Sequence, residues 1–114
     1  MSKVSFEEIG SVAATFLAEE GVEAGSVVGI TDNGQVGPCQ ASGDFCGVAL
    51  DCRAGTACVQ VKGFMTLKVT GTVTLGLTAL CADGNGGVKE TASGGVTALV
   101  VSADSAAGTC VVCL

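Results

Sequence analysis

The sequence predicts a small all-β domain, a β-sandwich or barrel-like fold with pseudo-duplicated halves and an N-terminal arm. Three observations point there. Eighteen glycines and a single proline punctuate many short runs of Val, Thr, Ala and Leu, the pattern of strands joined by tight turns. Apolar and polar side chains alternate along the longest run, as a sheet with one buried face requires. Markers also recur: Gly25, Asp32, Ser42 and Gly43 reappear 51 positions later as Gly76, Asp83, Ser93 and Gly94. Asp51, Gly55 and Thr56 match Asp104, Gly108 and Thr109 after 53. Such a spacing fits an internal duplication, with half-repeats at 22–63 and 73–114.

Taken in order, residues 1–10 form the arm and 11–114 one β domain. Ser5 and Glu8 have the spacing of a helix capping box, and Phe6, Ile9 and Phe16 could form an apolar stripe. Residues 11–17 are β-branched and aromatic enough to pair as an edge strand, which leaves the arm at most one helical turn. Further strands are expected at 26–30, 35–39, 45–51, 56–62, 64–70, 77–81, 88–91, 96–102 and 109–114. Asp32-Asn33-Gly34 separates two of them, and Asn-Gly favours the positive φ angles of a type I′ hairpin; residues 83–87 make a looser equivalent.

Val59, Val61, Met65, Leu67 and Val69 share one parity, with Gln60, Lys62, Thr66, Lys68 and Thr70 on the other. This predicts one buried face across both strands, with Gly63 as a bend or bulge between them. Residues 96–102 are apolar on both parities, which suits a strand covered on both sides by a second sheet or another subunit.

At 114 residues the chain fits one domain. With 48% hydrophobic and only 14% charged residues and a mean hydropathy of +0.63, part of its surface is expected to be covered by partners. No apolar run approaches the roughly 18 residues of a transmembrane helix. The apolar stretch at 12–18 follows Glu7 and Glu8 where a secretory signal would place positive charge, so the chain is expected to stay in the cytosol that makes it. A net charge of −6 repels phosphate backbones. Neither membrane nor nucleic acid is an expected partner.

The sequence offers little chemistry. It contains no His, Trp or Tyr, so the usual neutral-pH base and every Ser-His or Cys-His pairing are missing. Seven cysteines, an odd number without an export signal, are read as reduced thiols. Cys110 and Cys113 form a C-x-x-C, but on a strand their sulfurs point to opposite faces. Cys46 and Cys52 share a parity with Val48 and Leu50 and are expected to act as small buried hydrophobes. A four-thiolate site from Cys39, Cys46, Cys52 and Cys58 lacks the close pairs of zinc ligands. Residues 83–86 lack the alternating oxygens and closing Glu of a calcium loop. The glycine pairs form no phosphate-binding loop, and Lys62 and Lys68 are expected to be solubilising. No catalytic, cofactor or metal residue is assigned, and an enzyme is not expected.

One family likeness stands out. Val22-Glu23-Ala24-Gly25-Ser26-Val27-Val28, Thr31-Asp32-Asn33-Gly34-Gln35-Val36-Gly37 and Phe45-Cys46-Gly47-Val48-Ala49-Leu50 resemble the small capsid cement, or head decoration, proteins of tailed bacteriophages and prophages. Val59-Gln60-Val61-Lys62-Gly63 is similar to the family's V-x-V-x-G strand, and the stretch from Val69-Thr70-Gly71 to Gly86-Gly87-Val88-Lys89 to its second half. The likeness spans residues 11–114; the abundance of cysteine departs from it. It implies a β subunit that assembles, commonly as a homo-trimer, on the outside of an expanded head and reinforces the major capsid protein. By the same analogy Phe6 and Ile9 in the arm are candidates for capsid contact. The alternatives are another phage head or tail component, a small ligand-binding β-barrel, and a cysteine-based redox or metal module.

Overall fold

The computed structural model describes residues 11–114, which form ten strands and no helix. The arm, with Phe6 and Ile9, lies outside the described residues. The strands are β1 (Val12–Ala18), β2 (Val27–Asp32), β3 (Gln35–Pro38), β4 (Gly47–Arg53), β5 (Thr56–Lys62), β6 (Phe64–Lys68), β7 (Gly76–Ala82), β8 (Val88–Glu90), β9 (Val96–Asp104) and β10 (Thr109–Cys113). Each falls on a stretch that the spacing of glycines and β-branched residues predicts.

Strands β1–β5 close into a barrel in the order β1-β3-β2-β4-β5, and β6–β10 form a second sheet in the order β6-β10-β9-β7-β8. Adding five to each barrel strand number reproduces the neighbours of the second sheet. The correspondence extends to the closure: β1 pairs with β3 in parallel through Leu17↔Gln35 and Ala18↔Val36, and just past β6 the parallel bridge Val69↔Val88 occupies the equivalent place. The structural units therefore include β1 and β6, which carry none of the Gly and Asp markers that define the halves in the sequence.

The two units pack differently. Val28, Val36, Ala49, Ala57 and Val59 fill the barrel interior, with Phe16, Ala18, Val22, Cys46, Cys52 and Val61 packed around them. The larger core joins Met65, Leu67, Leu80, Val88, Val100 and Val112 of the second unit to Val27, Phe45 and Val48 of the first. The connection between β3 and β4 is bonded to the end of β7: Ser42 N donates to Ala82 O at 2.8 Å, and Ala82 N donates to Gly43 O at 2.9 Å. Val27 N donates to Gly86 O at 3.0 Å, tying the start of β2 to the β7–β8 turn.

Gly63 is where the chain passes from barrel to sheet. Its φ of +97° is open to glycine at little cost and strained for other residues. Its N–H and C=O both pair with Leu114. The parity across it holds, but the single buried face does not: Val59 lies in the barrel core and Met65 and Leu67 in the other. Gln60, expected on the polar face, is 8% exposed. Its Nε2 donates to Lys62 O at 3.1 Å and Phe64 O at 2.9 Å, so the carboxamide clasps the carbonyls on either side of Gly63.

Two other expectations are corrected. In the turn at Asp32-Asn33-Gly34 only Gly34 has positive φ, and the ladder shifts between Ile30 and Asp32; this is a bulged turn, not type I′. A second shift between Ala49 and Asp51 moves Leu50 outward and returns Cys52 to the side of Ala49, so Val48, Leu50 and Cys52 do not share an environment. In β9, Ala98 and Val100 are buried, whereas Leu99 is 40% exposed; among the described residues one face of this strand is covered, and the expected cover of the other by another subunit is a matter for the assembled protein.

Replacing Gln60 with Leu keeps an apolar volume but takes both donors from the Gly63 junction. We expect a loss of about 1–3 kcal/mol, read as a lower urea midpoint; an unchanged midpoint would show that the clasp contributes nothing.

Candidate functional site

All seven cysteines are free thiols. Cys110 is buried in the larger core, while Cys113, opposite Phe64 and Leu99, lies on the outward face, so the C-x-x-C sulfurs are divided by the sheet. Cys39 packs against the larger core, and Cys46 and Cys52 against the barrel core; Cys52 Sγ donates to Val22 O at 3.1 Å. Among the described residues no group of three or more His, Cys, Asp or Glu side chains converges on a metal-sized site. Burial first, then the neighbouring Cys46 and Asp44, pushes the Cys39 thiol from its ordinary value of 9.0 to about 11. Burial also raises Cys46, against the lowering effect of a backbone hydrogen bond, and raises Cys110. Raised values keep thiols protonated at neutral pH, the reverse of an activated nucleophile.

Asp83 is committed to its own turn. Oδ1 accepts from Asn85 N at 2.6 Å and Gly87 N at 3.1 Å, and Oδ2 accepts from Thr70 Oγ1 at 2.7 Å. Burial works to raise this carboxyl, but these bonds outweigh it and hold the carboxyl below its ordinary value of 3.8. Lys62 and Lys68 are exposed, as expected.

Shallow clefts lie on the surface of the described residues. One of about 310 Å³ lies at the end of the barrel, with Glu19, Glu20, Val22, Cys52 and Arg53 among its lining residues. Another, about 190 Å³, lies where Ser26–Val28 meets the β7–β8 turn.

The outward face of the second sheet is the more distinctive surface. Strand register aligns Phe64, Cys113, Leu99 and Leu77 in one row across β6, β10, β9 and β7. Leu77 is 78% exposed, and Leu75, just before β7, is 62% exposed. Residues on adjacent paired strands lie about 5 Å apart, so the row is a continuous apolar strip. Scattered exposed leucines are ordinary on a protein surface, but an aligned strip is a mark of an interaction surface. The sequence placed these residues on strands and marked 96–102 as apolar on both parities, but no local signal aligned them in one row.

No protein-family model matches the chain, and no curated protein matches it.

Two outcomes follow from the titrating groups. At pH 8 a thiol with its value raised from 9.0 to about 11 carries about 100-fold less thiolate. Iodoacetamide with peptide mass analysis should therefore find Cys39 labelled about 100-fold more slowly in the folded than in the urea-unfolded chain; equal rates would refute the assignment. Because the folded thiol titrates above the unfolded one, its stabilising contribution is complete below pH 9 and fades as pH rises toward 11. Asp83 works in the opposite direction: its contribution is complete above 3.8 and is lost as pH falls through the depressed value. Asp83→Asn should shrink the loss of urea midpoint on acidification, and an undiminished loss would place the acid sensitivity elsewhere.

Proposed function

We propose that the chain is a non-enzymatic structural subunit that decorates and stabilises the capsid of a tailed bacteriophage, working as a symmetric homo-oligomer, commonly a trimer in the family it resembles. Its partner is the major capsid protein and its place the outer surface of the virion, after synthesis in the bacterial host cytoplasm. The observation that carries this reading is the outward strip of the second sheet, where Leu77 and Leu99 stand in fixed register on a rigid ladder. Apolar β surfaces repeated over a shell bind through many weak contacts and require no reactive group.

The residues behind the family likeness fall on structural joints. The stretch 22–28 leads into β2, 31–37 is the β2–β3 hairpin, 45–50 enters β4, and 59–63 ends at the crossing between sheets. The closed barrel also invites a ligand-binding reading, but its interior is filled by its own valines and alanines, where a binding cavity would need open volume.

Light scattering on the purified chain, followed by binding to expanded capsids of the phage or prophage that encodes it, tests the proposal. A stable oligomer, or a monomer that assembles on the shells, is expected; a monomer that ignores them would overturn it.

A further inference from the structure

The two units carry equivalent hairpin turns, and each contains an Asn-Gly pair: Asn33-Gly34 between β2 and β3, and Asn85-Gly86 between β7 and β8. An asparagine before glycine is open to attack on its side-chain amide by the next backbone nitrogen, because glycine has no side chain to obstruct ring closure and lets the backbone rotate. The structure treats the two pairs differently. Asn33, Gly34 and the neighbouring Asp32 are all exposed. Asp32 Oδ1 accepts from Asn33 N at 2.8 Å, but among the described residues neither the Asn33 carboxamide nor Gly34 N has a hydrogen-bond partner. Nothing lies within 4 Å of the place a Gly34 Cβ would take. The second pair is pinned. Asp83, itself anchored through Oδ2 by Thr70 Oγ1 at 2.7 Å, gathers Asn85 N and Gly87 N onto Oδ1, so the peptide units on both sides of the one that must rotate are tied to one atom. Gly86 O accepts from Val27 N at 3.0 Å, and Ser26 Oγ lies 2.7 Å from the place a Gly86 Cβ would take.

We propose that Asn33 is a site of self-modification, where Gly34 N displaces the side-chain amide and turns the asparagine into aspartate and isoaspartate at the barrel closure, while Asn85 is protected. Gly34 N gives up its proton to hydroxide and bonds to Asn33 Cγ. The Cγ–Nδ2 bond breaks, and ammonia leaves with a proton taken from water, so the rate rises with pH. Water then opens the cyclic imide at either carbonyl. Opening at Cγ gives aspartate in an ordinary main chain; opening at the main-chain carbonyl gives isoaspartate, whose main chain runs through Cγ and is one methylene longer. The net reaction consumes one water, releases one ammonia and adds one negative charge to the chain's −6. The longer main chain matters here because Gly34 O accepts from Leu17 N at 2.9 Å, beside the two-residue parallel ladder by which β1 and β3 close the barrel. A methylene inserted one residue before that carbonyl moves it away from Leu17. The turn is thus a slow, one-way clock set into the closure of the first unit.

The test incubates the full-length chain at mildly alkaline pH, folded and in urea. Peptide mass analysis separates the two Asn-Gly peptides, and an isoaspartate-specific methyl transfer counts the product. In urea both pairs are expected to convert at similar rates. In the folded chain Asn33 should convert on the order of tenfold or more faster than Asn85, since ring closure at Asn85 must first release hydrogen bonds worth about a factor of five each. A folded chain in which Asn85 keeps pace with Asn33, or in which Asn33 stays intact while the unfolded chain converts, overturns the assignment. Chromatography then enriches the isoaspartate form for amide hydrogen exchange. Its Leu17 amide should exchange about fivefold faster than in the unmodified chain, the effect of losing one hydrogen bond. Asn33→Asp adds the charge without lengthening the main chain and should leave that amide unchanged. Equal Leu17 exchange in the isoaspartate and unmodified chains, or equal acceleration in Asn33→Asp, would overturn the link to barrel closure. None of these readouts depends on oligomeric state or capsid binding, so the outcome is independent of the proposed function.

Discussion

The fold depends on how the backbone passes from a closed barrel to a separate sheet without leaving its polar groups unpaired. Gly63 makes the turn with a φ of +97°, Leu114 satisfies its N–H and C=O, and the buried Gln60 carboxamide takes up the carbonyls of Lys62 and Phe64. Buried backbone groups without partners cost free energy comparable to a lost hydrogen bond each. The clasp lets one continuous run of alternating residues serve two cores. Everything beyond the crossing, including the leucine strip, takes its orientation from that point.

Around this joint, two five-stranded units of the same pairing order meet through backbone bonds from Val27, Ser42 and Gly43 to the second unit. Identical topology has not produced identical packing. The first unit closes on small side chains, chiefly Val and Ala. The second has only the single bridge Val69↔Val88 where the first has a two-residue ladder. Its core is completed by Phe45, Val27 and Val48, borrowed from the first.

Much of this was legible in the sequence, because glycine spacing and β-branched runs are local signals. All ten strands and the repeated order of turns could be read that way. What was hidden depends on contacts distant in sequence. Gln60 sits at a polar position of an alternating strand, and only the crossing explains its burial. The shift near Leu50 has no local marker, so the shared parity of Cys46, Val48, Leu50 and Cys52 misled. A strand apolar on both sides, as at 96–102, indicates that both sides avoid water without saying whether the cover comes from the same chain. The candidate surface was therefore visible as composition but not as a place: no spacing rule aligns Leu77 with Leu99 and Cys113 before the pairing of β7, β9 and β10 is known.

The unequal sharing of the two cores also sets an order of events during synthesis. Every residue that fills the barrel interior precedes Gly63, so that unit can be complete while the second half is still being made, and domains made first tend to fold first. The second sheet then condenses onto a surface already presenting Val27, Phe45 and Val48. The first half acts as a template for its own near-copy, and the leucine strip forms last, when β10 joins β6 to β9. Strands with the same pairing rules could otherwise mispair between units; a barrel closed beforehand leaves few open edges for such an error.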